Sequence, residues 1–423
     1  MKNTFNLPVN GKERIIIIGA GFAGLKLARL LTGSKYQVVM IDKRNFHQFQ
    51  PLFYQVATSG IEPSSISFPI RKVFQKHTNL HFRNTELLEV VPDENKVITT
   101  DGELNYNHLV LATGVDTNYF GNKNIENNSL SMKSTSEAIN LRNNILESYE
   151  KAILTNNEKT QEKLLSFSVV GGGPTGVELS GAIAELKNFV LPKDYPELDF
   201  GKMIIRLYEA GPRLLNGMSE KSGKEAHRFL EKMGVEVHLN TMIADYKDQV
   251  IYLKDGSQVA CRNLIWSAGV SGSKIKGLKP AIYTHANRLK TNQYNKVDGY
   301  DNIYAIGDIS YMETEKYPKG HPQVAQVAIQ QGILLAKNLR TGHWMPFQYK
   351  DKGSMATIGR HMAVCDLPGM RFTGRLAWFM WLFVHLMAIV GVKNRVFIFI
   401  NWAQSYILRD QNLRILIKPF KKR

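Results

Sequence analysis

Cysteine is almost missing from this chain: Cys261 and Cys365 are the two among 423 residues. Two thiols so far apart exclude an iron–sulfur cluster and a disulfide framework. No spacing of Cys, His or carboxylate fits a metal, so no metal is expected. Such sparing use of cysteine suits a reducing compartment. Met1 to Arg14 lacks the apolar core of a secretory signal, and none is expected. No uncharged apolar stretch reaches the roughly 20 residues of a membrane-spanning helix. Acid is scarce as well: 37 Asp and Glu stand against 54 Lys and Arg, a net charge of +17. The imbalance is local. From Arg371 to Arg423 ten Lys or Arg meet one acid, Asp410, in the most apolar part of the sequence. Nucleic acid would use that charge without the apolar surface, and the charge is not interleaved with a binding fold, so no nucleic-acid partner is expected. An anionic lipid surface uses both charge and apolar area.

What the chain does contain, twice, is a glycine loop set between a strand and a helix. The first runs Ile15-Ile16-Ile17-Ile18-Gly19-Ala20-Gly21-Phe22-Ala23-Gly24, and the second Phe167-Ser168-Val169-Val170-Gly171-Gly172-Gly173-Pro174-Thr175-Gly176. In each, a β-branched strand enters a tight turn. Gly19 permits the turn, Gly21 lets the backbone approach a pyrophosphate, and Gly24 lets the helix lie close on the strand; Gly171, Gly173 and Gly176 restate the pattern. The helix N-terminus then offers free N–H groups and a positive dipole end to phosphate. An acid closing the next strand takes the ribose hydroxyls. Asp42 follows the strand at 37–41, near the roughly 20-residue spacing expected, and Glu209 follows the strand at 203–208. The second gap is longer, and Lys187 to Gly201, rich in Pro, Asp and Lys, reads as an inserted loop. A single such loop could be a packing turn without ligand. Two of them, each with its acid, imply two dinucleotides, the arrangement that passes a hydride from a nicotinamide to a flavin.

Residues 14–115 read as a βαβ unit with added strands, ending in a buried strand and the small-residue turn Ala112-Thr113-Gly114. A helix is expected over 130–160. A second βαβ unit closes on Leu264-Ile265-Trp266-Ser267-Ala268-Gly269. The chain then returns to the first unit through Asn302-Ile303-Tyr304-Ala305-Ile306-Gly307-Asp308. The expected fold class is therefore α/β, with two Rossmann-type dinucleotide-binding domains, one inserted in the other, plus a C-terminal membrane-associating helical segment. The expected divisions are 1–125 with 290–345, then 126–289, then 346–423. In the last, Leu376 to Val392 is 17 residues without a Lys, Arg, Asp or Glu. A helix over 396–408 puts Asn401, Gln404 and Ser405 on one face and Phe, Ile, Trp and Leu on the other. Two short helices with Trp378, Trp381 and Trp402, flanked by Lys393, Arg395 and the tail Lys418 to Arg423, suit a monotopic anchor in one leaflet. Core helices of a soluble domain or a dimer interface are the alternative.

These residues resemble the type II NADH dehydrogenases, the single-subunit NADH:quinone oxidoreductases, over nearly the whole chain. The most specific likeness is Ala325-Gln326-Val327-Ala328-Ile329-Gln330-Gln331-Gly332, an AQxAxQ signature. The run from Asn45 to Ala57 and the continuation Gly176-Val177-Glu178-Leu179-Ser180-Gly181 add to it. The resemblance implies FAD in the first domain, on Gly19, Gly21, Phe22, Ala23, Gly24, Asp42, Lys43, Ala112, Thr113, Gly114, Gly307 and Asp308. It implies NADH, as substrate, in the second domain, on Gly171, Gly173, Pro174, Thr175, Gly176, Glu209, Ala268 and Gly269. Asp308 would hold the flavin ribityl chain, or cap a helix. Glu178 would place the nicotinamide or supply a proton, or complement the helix dipole. Gln326 and Gln330, four apart on one helix face, would meet the quinone headgroup, or pack on a second subunit. Lys393 would set charge near the quinone mouth, or snorkel.

The function so implied is transfer of two electrons from NADH through FAD to a membrane quinone, ubiquinone or menaquinone, without proton pumping. The enzyme would be a homodimer, peripheral at an anionic lipid surface, on the cytoplasmic face of the inner membrane. Hydride transfer asks for stacking and distance more than for acid or base. Other readings use the same fold: a sulfide:quinone oxidoreductase or another soluble-acceptor flavin reductase, and a non-catalytic flavoprotein that senses NADH. A dithiol reductase is excluded, because Lys43 to Gly60 contains no cysteine.

Overall fold

The computed structural model describes residues 5–408 and 413–417; the tail from Lys418 to Arg423, counted in the expected anchor, lies outside the described residues, as does Asp410. The first strand, β1 (Arg14–Ile18), buries four consecutive isoleucines, which suits a strand covered on both faces. It turns into α1 (Phe22–Leu31), which buries Ala23, Leu25, Leu27, Ala28 and Leu31. The chain continues through β2 (Gln37–Asp42), α2 (Phe53–Ala57), β3 (Leu80–Asn84) and β4 (His108–Leu111). Next come α3 (Thr135–Ile153), β5 (Ser166–Val170), α4 (Pro174–Glu185), β6 (Ile204–Tyr208), α5 (Glu220–Lys232), β7 (Val235–His238) and β8 (Asn263–Trp266). After β9 (Ile303–Ala305) and α6 (Ala325–Thr341) a hairpin sheet follows: β10 (Ser354–Gly359), β11 (Met362–Leu367) and β12 (Met370–Thr373). The last two helices are α7 (Gly374–Ala388) and α8 (Val392–Leu408).

The chain divides into two compact units: one runs up to His47 with Phe68–Asp116 and Val270–Asp351, the other holds Gln48–Ser67, Thr117–Gly269 and everything from Lys352 on. The first unit is built on a parallel sheet of order β9-β4-β1-β2-β3. Its edge strand β9 arrives from beyond β8, so the second dinucleotide unit is inserted in the chain of the first. Against this sheet α1 packs on α6 so closely that a Cβ on Gly332 would stand 2.8 Å from the Ala23 carbonyl oxygen. The second unit has its own parallel sheet, β7-β6-β5-β8. Here α4 lies on β10, where a Cβ on Gly181 would come within 1.7 Å of the Ile358 oxygen.

Two expectations change. The stretch from Lys187, read as loop, continues α4 as a π-helical turn over Leu186–Val190 and then as a short helix over Leu191–Asp194. Pro192 cannot donate to the helical ladder, and the turn before it widens. The anchor tryptophans, expected outward, point inward. Trp381 is buried, and the Trp402 Nε1–H donates to Gln55 Oε1 at 2.8 Å. The outward residues of α7 and α8 are aliphatic or phenyl: Leu376, Phe379, Phe383, Met387, Val396, Phe397, Phe399, Ile400 and, 75% exposed, Ile407. Asn401 and Ser405 of the expected polar face are half-buried. Among the described residues no helix is long and apolar enough to cross a membrane.

Candidate functional site

The first loop is shaped by backbone. Gly19 has φ +105°, and a Cβ there would sit 2.3 Å from the Ala112 carbonyl oxygen. A Cβ on Gly24 would sit 1.9 Å from the Gly19 oxygen. Gly21 differs: a Cβ there would meet no protein atom within 4 Å. Protein packing leaves that side of Gly21 open, which gives a pyrophosphate room to approach the backbone there. Helix α1 begins without a side-chain cap or an acid in its first turn, which leaves its first N–H groups for a phosphate.

Asp42 is held at both oxygens, Oδ2 accepting from the Ala20 N–H and Oδ1 from the Arg44 N–H, each at 2.7 Å. The buried His47 ring lies with Nδ1 2.8 Å from the Ala20 oxygen and edge-on to Phe22; burial lowers its pKa. Lys43 sits at the surface, 3.6 Å from Glu86. Thr113 is exposed and Gly114, at φ +71°, follows it, both past the C-terminal end of β4. The Gly307 N–H donates to Gln331 Oε1 at 2.7 Å. Asp308 is the middle residue of a single 3-10 turn, Gly307–Ile309, capped by Ile306, so it is not a helix cap. An uncapped helix end, an open glycine and a pinned carboxylate on one sheet edge fit FAD.

The second loop restates this geometry. Gly171 has φ +108°, a Cβ on Gly176 would stand 1.9 Å from the Gly171 oxygen, and a Cβ on Gly173 would meet nothing. Helix α4 starts at Pro174, followed by Thr175, with no side-chain cap. Glu209 accepts from the Gly172 N–H at Oε2 and from the Gly211 N–H at Oε1, both at 2.6 Å. Arg213 is committed elsewhere, to the carbonyls of Met218 and Asn216 at 3.0 and 2.9 Å. Past β8, Gly269 at φ +75° follows Ala268, and its oxygen accepts from the Asn118 N–H at 3.3 Å.

Glu178 is the fifth residue of α4, in its second turn, and the first turn carries no acid. Dipole complementation, which decays within one turn, does not account for it. It opens instead into a cavity of about 610 Å³ within the second unit, lined among others by Tyr54, Gln55, Glu185, Arg360, Trp381 and Tyr406. Desolvation pushes the Glu178 carboxyl up to about 8, opposed by the Thr357 N–H at 3.4 Å and the Trp381 indole. A chain of hydrogen bonds orients its neighbours: Trp402 donates to Gln55 Oε1, and Gln55 Nε2 donates to Tyr54 Oη, both at 2.8 Å. Burial, and after it the nearby Glu178 charge, raises the Tyr54 pKa.

Gln326 and Gln330 lie on α6 in the first unit. The Gln330 amide pairs both ways with the Lys350 backbone, Nε2 donating to its oxygen at 2.9 Å and Oε1 accepting from its N–H at 3.0 Å. The buried amide of this signature is Gln331, which sequence reading passed over. Its signal was a polar residue on the apolar stripe Val327, Ala328, Gly332 and Leu335. Glu185 was passed over too, although it stands seven residues, two turns, beyond Glu178 on the same helix face.

Paired Rossmann loops with pinned carboxylates define a two-dinucleotide oxidoreductase. The model of the pyridine nucleotide-disulphide oxidoreductase family matches residues 13–332, and that of the NDH2 C-terminal domain matches residues 352–410. A type II NADH:quinone oxidoreductase of Mycobacterium tuberculosis is 34% identical over 418 residues, covering 94% of this chain and 88% of that one. The solved NDH2 of Plasmodium falciparum, in complex with NADH, superposes with a TM-score of 0.89 at 23% identity, over 96% of this chain and 100% of that one; at that identity the likeness is one of fold. The same holds for the sulfide:quinone oxidoreductase of Aquifex aeolicus, with a TM-score of 0.71 at 18% identity over 94% of this chain and 96% of that one. This chain belongs to the type II NADH:quinone oxidoreductases: it takes electrons from NADH and gives them to a quinone, and flavin dependence fits the family. Both cysteines are free and buried, which leaves no accessible thiol for sulfide chemistry.

Proposed function

We propose that FAD is held by the first loop with Asp42, Thr113 and Asp308, that NADH is held by the second with Glu209 and Gly269, and that Glu178 handles the protons that accompany quinone reduction. The observation that carries this reading is the duplicated device, an open central glycine beside a carboxylate fixed by the loop's own N–H group. Bound FAD supplies two-electron chemistry between nicotinamide and quinone. The protein supplies position. The helix ends of α1 and α4 neutralise phosphate charge, and Asp42 and Glu209 orient the ribose rings. Glu178, with a pKa near the ambient pH, can both give and take a proton, and the cavity gives it room for water. Gln326 meets the quinone headgroup, while Gln330 fixes the backbone at Lys350 beside it.

The enzyme acts, in this reading, as a homodimer resting on an anionic membrane surface through the outward face of α7 and α8. Phenyl and aliphatic side chains exposed along two successive helices support that attachment. Access to the NADH pool supports the cytoplasmic face of the inner membrane. The quinone is ubiquinone or menaquinone. The test is anaerobic mixing with NADH and then with a quinone, following flavin absorbance. Bleaching and recovery are expected. Bleaching without recovery would make the chain an NADH-binding flavoprotein with another acceptor.

A further inference from the structure

Glu178 does not line its cavity alone. Glu185, two turns on along α4, lines the same cavity from the same helix. The rise of the helix sets the two about 10 Å apart. One hairpin engages both. The Thr357 N–H of β10 donates to Glu178 Oε1 at 3.4 Å, and the Arg360 N–H, in the turn after β10, donates to Glu185 Oε1. Both acids are half-buried rather than sealed. At the Glu185 end the cavity lining reaches the surface. Asn188 and Phe189, in the π-helical turn that follows, are exposed, and both line the cavity. The Asn188 Nδ2–H donates to the Met233 carbonyl at 3.0 Å, which brings Lys232, exposed and also a lining residue, to the same end. Beside Glu178 stand Tyr54 and Trp381, both buried. The titratable and charged groups around Glu185 are Glu178 on its own helix, Arg360 and His361 on the hairpin, Lys232 on α5, Tyr54 on α2 and Tyr406 on α8. Burial raises the Glu185 pKa, and the Arg360 N–H and guanidinium charge act against that rise.

Reduction of a quinone by NADH moves one hydride and consumes one proton from solution: NADH, a proton and quinone give NAD⁺ and quinol. In the reading above Glu178 gives that proton to a quinone oxygen. It is then a carboxylate beside buried aromatic rings, and it must be reprotonated before the next turnover. We propose that Glu185 is the proton inlet of this cavity, taking a proton from solvent at the Asn188 and Lys232 end and passing it through cavity water to Glu178 after each turnover. The transfer breaks an O–H bond at Glu185 and forms one at Glu178; solvent hydronium restores the first, and no electrons move. The separation exceeds a hydrogen bond, so about two or three waters, each of about 30 Å³, bridge the carboxyls. The cavity of about 610 Å³ has room for them. A structural role alone, as acceptor for the Arg360 N–H, would be served equally by glutamine. The inlet rests on the Glu178 reading and deepens it.

The test uses the full-length, flavin-loaded protein, a short-chain ubiquinone and Glu185→Gln, which keeps the acceptor and removes the proton site. Reduction by NADH should be unchanged. In a single turnover, pre-reduced enzyme mixed with quinone should reoxidise near the wild-type rate at neutral pH, because Glu178, pushed up to about 8, already carries its proton. Continuous turnover should fall at least about tenfold, short of the roughly hundredfold or more of a direct general acid. It should also fall more steeply than wild type as pH rises. Glu185→Asp should recover part of the loss, and it carries the same test if Glu185→Gln does not fold. In the oxidised enzyme without substrate, the infrared C=O band of protonated carboxyls that titrates with pH should lose one component in Glu185→Gln. Wild-type turnover of Glu185→Gln at every pH, or an unchanged infrared band, overturns the inlet. So does a first turnover slowed as much as continuous turnover, which would put Glu185 at the quinone itself. Glu178→Gln separates the two readings. A first turnover left at the wild-type rate overturns the Glu178 assignment, while a slowed one beside a normal Glu185→Gln overturns the inlet alone.

Discussion

The two glycine loops are nearly the same object, and the helices that leave them are not. In both, the turn glycine has φ near +105°, the helix glycine approaches the turn oxygen to 1.9 Å at its built Cβ, and both oxygens of one acid accept from nearby backbone N–H groups. Two residues past the last glycine the likeness ends. The first helix has Lys26, half-exposed on an otherwise ordinary amphipathic surface. The second has Glu178, whose carboxyl opens into a cavity, and two turns later Glu185, followed by a π-helical turn. In the proposed reading the loop binds, and what the helix carries next decides whether the unit also does proton chemistry.

Breaking one loop at a time should give the largest and most divergent effects. Gly24→Val and Gly176→Val each force a side chain into backbone at 1.9 Å, an overpacking cost of about 1–3 kcal/mol or more. Gly24→Val should yield protein without flavin, while Gly176→Val should stay yellow and lose reduction by NADH. Flavin stoichiometry after purification checks the first half and NADH titration the second.

The acids sharpen the comparison next. Glu209 should favour NADH over NADPH by at least about tenfold in kcat/KM, because a 2′-phosphate would meet its carboxylate. Arg213, tied to two carbonyls, is not placed to offset this. Glu209→Ala should narrow the ratio, and Asp42→Ala should leave it unchanged while weakening flavin retention.

Glu178 predicts a pH dependence that has no counterpart in the first helix. Its pKa rises on folding from 4.5 to about 8. Its contribution to stability is therefore complete below about 4.5, declines as pH rises through that interval, and is gone above about 8. Glu178→Gln should flatten the stability profile between those limits, and remove an inflection near 8 from the rate of flavin reoxidation by quinone while leaving reduction by NADH in place. Denaturant melts across pH and stopped-flow at each pH measure the two.

The smallest effects are expected on α6. Gln326→Leu should slow reoxidation by quinone about fivefold, the worth of one hydrogen bond. Gln330→Leu should mainly lower stability, by about 1–2 kcal/mol for its pair of bonds to Lys350, with a smaller change in quinone KM. The reverse ranking would exchange their roles.

What was legible in the sequence follows from distance along the chain. Gly19, Gly24, Asp42 and their counterparts answer to local turn chemistry and to a strand-to-strand spacing, so their pattern can be read directly. Glu178 reads from its distance to the last glycine as a first-turn residue, but the helix starts at Pro174, which puts it in the second turn. The cavity was not legible, because its walls come from remote segments: Trp402 finds Gln55, and Thr357 finds Glu178. For the same reason the tryptophans of α7 and α8 read as interfacial anchors, when their rings line the inner cavity, the Trp402 N–H finds Gln55, and phenyl and aliphatic groups are left outside.

The separation of the two loops is tested most directly with the Gly176→Val protein, loaded with flavin and photoreduced without nucleotide. Mixed with quinone, it should reoxidise at the wild-type rate, although NADH no longer reduces it. Reoxidation slowed in step with the loss of NADH reduction, or NADH reduction left intact, would contradict the assignment of the second loop to NADH alone.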